Sequence, residues 1–224
     1  MINIQLKHAP FSNDLVNDEC GRWLNYVSED TNPDRPDRYW IMAHADEPLY
    51  TYGTKAIHNS ADMPNTINGI PVQPQIRNGG ITYHGPGQIS WVAVLNYRRL
   101  LRHGDILNMQ DFMVKFCNSV NAEFNETLVS DPADPGLYRT SGEKILSFGI
   151  DAPGVSWVAI KLSLNVCVDL SAYNNTATCG VNDRSMGNLM SNLPDLGTQA
   201  RMGENIIRRL CAEIYESHQI VDWA

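Results

Sequence analysis

A nearly unbroken apolar run, Ile89 to Leu95, follows directly on the loop Arg77-Asn78-Gly79-Gly80-Ile81-Thr82-Tyr83-His84-Gly85-Pro86-Gly87-Gln88. A run without polar alternation predicts a central strand, buried on both faces. The loop before it holds four glycines and a proline. Glycine lets backbone N–H groups come close to a ligand and accept φ > 0, and proline freezes a turn. A bare Gly-Pro-Gly reads as a tight hairpin. Twelve residues of this kind, leading into a buried strand, favour one wall of a small-molecule site.

Other elements surround this strand. Ser12 caps a predicted helix to about Val27, with Leu15, Val16, Cys20, Trp23, Leu24 and Val27 on one face. Arg38 to His44 and Tyr50 to Tyr52 read as strands, and Asn59 to Gln75 as a loop. Asp105 opens a second helix, with Ile106, Met109, Phe112, Met113, Phe116 and Val120 inward. Asp131 to Gly136 is a Pro/Asp turn cluster. Glu143 to Gly149 and Val155 to Val168 read as strands separated by the turn Asp151 to Gly154. Asn174 to Leu196 is loop-like, and Glu204 to Tyr215 is a closing helix. Strands cluster in the middle with helices on the flanks. The expected fold is therefore α+β, a mixed sheet flanked by helices, in one domain over residues 1–224.

Composition narrows the function. With 43% hydrophobic and 19% charged residues, the chain has the balance of a globular protein. Its apolar runs are too short to span a membrane, and Met1 to Pro10 lacks the apolar core of a secretory signal. The net charge of −8 argues against nonspecific nucleic-acid binding. Five cysteines, at 20, 117, 167, 179 and 211, include no C-x-x-C pair, which points to a reduced, cytoplasmic protein. His44, His58 and His84 stand apart in sequence without metal-ligand spacing, so neither a metal nor a cofactor is expected.

Context separates one cysteine from four. Cys20, Cys117 and Cys211 fall in helical segments and Cys167 in an apolar strand, all read as buried small hydrophobes. Cys179 stands in a polar loop before Gly180, either as an approachable nucleophile or as an idle thiol. A nucleophilic role needs a nearby cation to lower the thiol pKa. Lys144 and His84 are the candidates in well-patterned segments. Taken alone, the lysine reads equally as a solvated strand edge and the histidine as a turn residue.

Four motifs, in order, resemble the lipoyl(octanoyl) transferases. They are the glycine loop, Pro135-Gly136-Leu137-Tyr138 followed by Lys144-Ile145-Leu146-Ser147-Phe148-Gly149, Leu164-Asn165-Val166 with Asp169-Leu170, and Thr178-Cys179-Gly180. His44 with Pro48 to Gly53 adds a weaker upstream match. The resemblance implies a biotin/lipoate–protein ligase-like (class II synthetase-like) fold. It implies transfer of an octanoyl group from acyl carrier protein to a lysine of lipoyl domains, as in 2-oxoacid dehydrogenases or the glycine cleavage H protein. It implies Cys179 as the acyl-thioester nucleophile and Lys144 as its partner. The substrate wall it implies comprises Arg77, Asn78, Gly79, Gly80, Ile81, Thr82, Tyr83 and His84, with Ser147, Phe148 and Gly149, and Lys161, Leu162 and Ser163. A monomer is expected. Arg98, Arg99 and Arg102 are the densest basic cluster and the expected dock for an acidic carrier or lipoyl domain.

The chain departs from the family pattern in three places. Asn78 replaces a glycine, Thr178 replaces the proline before the cysteine, and Ile160-Lys161-Leu162-Ser163 replaces H-G-[FLI]-A. A lysine in place of a pocket glycine fills the pocket or shifts the acyl preference. Two competing readings follow: an ATP-dependent lipoate–protein ligase, which would not need Cys179, and a non-catalytic binder of acyl groups or lipoyl domains.

Overall fold

The apolar run forms the middle of a mixed sheet. The computed structural model describes residues 2–8, 13–28, 32, 35–44, 47–53, 63–75, 80–98, 101, 108–152, 156–174, 185–215 and 218–222. The strands are β1 (Ile2–His8), β2 (Asp37–Ala43), β3 (Leu49–Tyr52), β4 (Thr66–Ile67), β5 (Ile70–Pro74), β6 (Ile81–His84), β7 (Gln88–Asn96), β8 (Val129–Ser130), β9 (Gly136–Tyr138), β10 (Lys144–Asp151), β11 (Trp157–Asn165) and β12 (His218–Asp222). The helices are α1 (Asn13–Ser28), α2 (Met109–Phe124) and α3 (Leu196–Ile214), with a 3₁₀ turn at Leu170–Tyr173. The main sheet runs β12-β1-β2-β7-β11-β10-β9-β8. Its β12, β1 and β2 are parallel and its remaining pairs antiparallel. A smaller sheet runs β4-β5-β3-β6.

All nine residues of β7 are buried, and their alternation sorts the layers. Ile89, Trp91, Ala93 and Leu95 join Val158, Ile160, Leu162 and Leu164 of β11 in the core that α2 and α3 cover. Val92 and Val94, with Trp157 and Ala159, pack on the other face beneath Cys20, Leu24 and Val27 of α1. Farther along that second face the residues turn polar: Gln88, Ser90, Ser163 and Asn165, all buried. Polar side chains are retained in a sheet interior only where they are hydrogen-bonded, so this patch is where a site is to be sought.

Several boundaries differ from those read in the sequence. The segment 59–75 carries a hairpin in its described part, where Asn68 (φ 53°) and Gly69 (φ 80°) form the turn between β4 and β5. Two successive positive φ values are what Asn-Gly supplies best. Helix α2 is capped by Asn108, whose side chain accepts from the N–H groups of Gln110 and Asp111; Asp105 lies outside the described residues, as does Ser12. Helix α3 begins at Leu196, not near Glu204, and is capped by Asp195. Strands β1 and β12 extend the sheet to both chain ends. Cys167 lies past the end of β11 and is only half-buried. Among the described residues, no helix is long and apolar enough to cross a membrane.

Candidate active site

The glycine loop is built as a stitch. Gly87 takes φ +84°, and its N–H donates to His44 O (3.4 Å) while its carbonyl accepts from Val166 N (3.0 Å) and Cys167 N (2.9 Å). A Cβ at Gly87 would collide with the Cys167 carbonyl, and one at Gly85 with the Tyr83 phenol. These two glycines are required by protein-to-protein contact, and the donors of Gly87 face no open wall. Among the loop's described glycines, Gly80, where a Cβ would meet nothing within 4 Å, is the one that fits the expectation of an open backbone. Arg77, Asn78 and Gly79 lie outside the described residues.

The stitch holds a chain of buried polar groups. Gln88 Nε2 donates to Tyr83 O (3.2 Å) and Asn165 Oδ1 (3.0 Å), which turns Gln88 Oε1 toward His84 Nδ1 at 3.0 Å. His84 therefore donates from Nδ1, and its Nε2 meets Thr51 Oγ1 at 3.2 Å. Asn165 Oδ1 also accepts from Tyr173 OH (3.1 Å). His44 Nε2 meets Ser90 Oγ (2.8 Å), which meets Ser163 Oγ (2.9 Å). The His44 and His84 rings, far apart in sequence, stack with centroids 5.6 Å apart. Burial, with help from His84, holds His44 well below its ordinary pKa, so it is neutral.

The second centre is Lys144, at the start of β10. It is 1% exposed, and Nζ donates to Asp134 Oδ1 at 2.9 Å and lies 5.4 Å from the centre of the Tyr138 ring. The idea of a solvated strand-edge lysine is thereby corrected: β9 runs beside it, and a Cβ at Gly136 would sit 2.8 Å from Lys144 Cε. Its backbone N–H donates to Ser185 O (2.9 Å), and its carbonyl accepts from Gly187 N (2.9 Å). Residues 175–184, with Cys179, lie outside the described residues. They are bracketed by Tyr173, bonded to Asn165, and by Ser185, bonded to Lys144.

Between these centres, the register pairs Ser147 with Ser163, Phe148 with Leu162 and Gly149 with Lys161. Leu162 is 1% exposed in the main core and Phe148 packs against that core, so both offer a site only their backbone. Lys161 shares the face of Ser163, and its charge is felt at Cys20, whose thiol burial pushes up to about 11. Ile81 and Tyr83 pack into a separate cluster with Tyr50, Val168 and Ala172. Among the described residues, no three His, Cys, Asp or Glu side chains are placed to hold a metal. Arg98 is exposed beyond the end of β7, and Arg99 and Arg102 lie outside the described residues.

The sequence profile of the lipoyl protein ligase A/B catalytic domain matches residues 24–211. The chain belongs to this family. Among its relatives, an octanoyltransferase of Zymomonas mobilis is 32% identical over 162 residues, 70% of each chain. One of Cellvibrio japonicus is 28% identical over 190 residues, 83% of this chain and 82% of the relative. Solved structures share the fold. A T. acidophilum protein with bound lipoic acid superposes with a TM-score of 0.68 at 14% identity, covering 100% of this chain and 90% of its own. A lipoate-protein ligase A bound with ATP gives 0.64 at 14%, covering 99% and 90%. At such identities the likeness concerns fold alone.

Membership in the lipoyl protein ligase A/B catalytic family fits the α+β reading and the motif order. Sequence reasoning missed Asp134, because nothing in a Pro/Asp turn cluster marks one carboxylate as a lysine's counter-ion. It also missed Ser90, buried within an apolar run, although a polar residue there was the available signal.

Proposed function

We propose that this chain transfers an octanoyl group from an acyl carrier protein thioester to a lysine amine of a lipoyl domain, through a thioester on Cys179. It acts as a cytoplasmic monomer. The observation that carries the reading is Lys144: a buried lysine whose backbone is bonded to Ser185 and Gly187, a few residues after Cys179 in the chain. Cys179 stands six chain steps before Ser185, a reach of at most ~20 Å. The octanoyltransferase relatives supply the acyl group and reaction class.

The Lys144 ammonium holds Cys179 as thiolate. The thiolate attacks the carrier thioester; the new sulfur–acyl bond forms as the carrier's breaks, and Lys144 gives its proton to the departing carrier thiolate. Neutral Lys144 then accepts a proton from the incoming amine as that amine attacks the acyl-enzyme, and Cys179 leaves as thiolate. Both partners end as they began. His84 is poorly suited to this proton transfer, since both ring nitrogens are occupied by Gln88 and Thr51. Ser147, Gly149, Lys161 and Ser163, with residues 77–84, line the acyl group's path.

Intact-mass spectrometry after incubation with octanoyl carrier protein, without nucleotide, tests the proposal. The expected result is a gain of one octanoyl group that disappears in Cys179→Ala. Transfer that requires ATP and survives Cys179→Ala would replace this reading with a ligase. Failure to acquire or transfer any acyl group would leave a binder.

A further inference from the structure

The buried polar chain ends in a donor that its neighbours leave unused. Asn165 is the last residue of β11 and is 1% exposed. Its Oδ1 accepts from Gln88 Nε2 (3.0 Å) and from Tyr173 OH (3.1 Å). The amide cannot be turned the other way. Gln88 Nε2 also donates to the Tyr83 carbonyl (3.2 Å), which can only accept, so the Asn165 atom that meets Gln88 is the oxygen. That leaves Nδ2, which is buried and has no acceptor among the described residues. A buried donor without a partner costs about 1–3 kcal/mol. Such groups are ordinarily satisfied, so this one calls for an acceptor that a ligand brings.

The place of this donor says which ligand. The chain on either side of residues 175–184 is tied to Asn165. Tyr173 is held through its phenol, and Leu189 through its N–H, which donates to the Asn165 carbonyl (3.0 Å). The segment that carries Cys179 therefore leaves and returns at this residue. On the sheet, Gln88 pairs with Asn165 from β7, so Oδ1 is turned toward β7 and Nδ2 away from it, to the side of β10. Strand β10 begins with Lys144. The β10–β11 register reaches Leu146 with Leu164, two residues after Lys144 and one before Asn165. The unused amide thus stands beside the start of the strand that supplies the lysine and at the root of the segment that supplies the cysteine.

We infer that Asn165 is a catalytic residue of the acyl transfer: its Nδ2 donates to the acyl carbonyl oxygen and stabilises the negative charge that gathers there. The inference rests on the Cys179 reading above. As the thiolate attacks, the carbonyl electron pair moves onto oxygen; as the carrier's carbon–sulfur bond breaks, the pair returns and the carbonyl is restored. In the second half the amine attacks, the same oxygen takes up and gives back the pair, and Cys179 leaves. The amide keeps its protons throughout, so the proton exchange stays with Lys144. Gln88 and Tyr173 fix the amide plane before any substrate arrives, and a donor fixed in advance needs no reorganisation as the charge develops.

Two variants test it. Asn165→Asp keeps the shape and the acceptor that Gln88 and Tyr173 use, and as a carboxylate, at about pH 8, it offers no donor. Asn165→Ser, shorter and uncharged, serves if the aspartate disturbs the fold, which urea unfolding reports. The measurement is single-turnover acylation of the full chain by octanoyl carrier protein, followed by intact mass over a range of carrier concentrations. The expected result is a maximal rate about 10²- to 10³-fold lower, the usual loss for one oxyanion donor, with the half-saturating carrier concentration and the final mass gain unchanged. A wild-type rate in a folded variant, or a loss confined to half-saturation, would overturn the inference and leave the Cys179 reading standing. A wild-type chain that gains no octanoyl group would overturn that reading and the inference together.

Discussion

A lysine side chain left 2% exposed has given up its hydration and recovers it only from a partner of opposite charge. At Lys144 that partner is Asp134, whose own side chain stays 33% exposed. The asymmetry matters: Asp134 is solvated on one side, whereas Lys144 is buried and, among the described residues, has Asp134 as its carboxylate partner. Asp134→Asn should therefore lower stability by about 1–3 kcal/mol, the value of a charge-assisted hydrogen bond left half-made, read from urea unfolding. An unchanged midpoint would mean that the pair carries no weight. Lys144→Ala should reduce acyl transfer about 10²- to 10⁴-fold, the usual share of a positioned acid–base group. Lys144→Arg should not restore it, because a guanidinium stays charged and cannot give up and regain the proton that the two half-reactions exchange. Recovery of most of the rate by arginine, measured with an octanoyl thioester, would reduce the role to simple charge.

Helix α3 shows how a single contact decides an element. Gly203 sits in its middle, where glycine costs a helix about 1 kcal/mol relative to alanine. A Cβ there would lie 2.8 Å from Ile41 Cγ2 and 3.1 Å from Ile89 Cγ2, and Trp91 Nε1 donates to the Gly203 carbonyl at 3.1 Å. Close approach of helix to sheet outweighs helix propensity, so Gly203→Ala should destabilise by about 1–3 kcal/mol in urea unfolding; a gain in stability would show that the sheet yields. The same glycine, with Gly197, weakens the helical pattern and hides the true start of α3 at Leu196 from a reading of periodicity. By contrast, β7 was legible because an unbroken apolar run has few other solutions. Strand β1 carries the alternation Ile2, Ile4, Leu6, but three apolar positions alone do not mark a strand. The polar chain from Thr51 through His84 and Gln88 to Asn165 was not readable as a unit, since its members meet only when four strands, β3, β6, β7 and β11, close on each other. Their residue types appear in the motifs; their hydrogen-bond directions do not.

Across the whole molecule, the buried titratable groups set a pH window for stability. His44 is held neutral in the fold, well below its ordinary 6.5. Below about that pH the unfolded chain takes up a proton that the folded chain refuses, so stability falls as pH falls. Glu19 and Glu204 add a second acid step. Burial raises each, but hydrogen bonds from Trp40 and Lys7 to the first, and from Arg208 and His8 to the second, outweigh it and leave both below the ordinary 4.5. Their contribution is present above that value and lost as pH drops through it. On the alkaline side, burial raises Cys20 and Cys117 from 9.0 to about 11 and Cys211 further still. Above about pH 9 the unfolded thiols lose protons that the folded ones keep, so stability declines again. Urea midpoints from pH 4 to 10 should therefore trace a plateau between roughly 7 and 9 with a fall on each side. His44→Gln, which keeps a hydrogen-bonding group beside Ser90 Oγ but cannot titrate, should flatten the slope between about 5 and 7 and leave the alkaline limb untouched. An identical acid slope in that variant would place the proton uptake on another group and remove His44 from the account of this window.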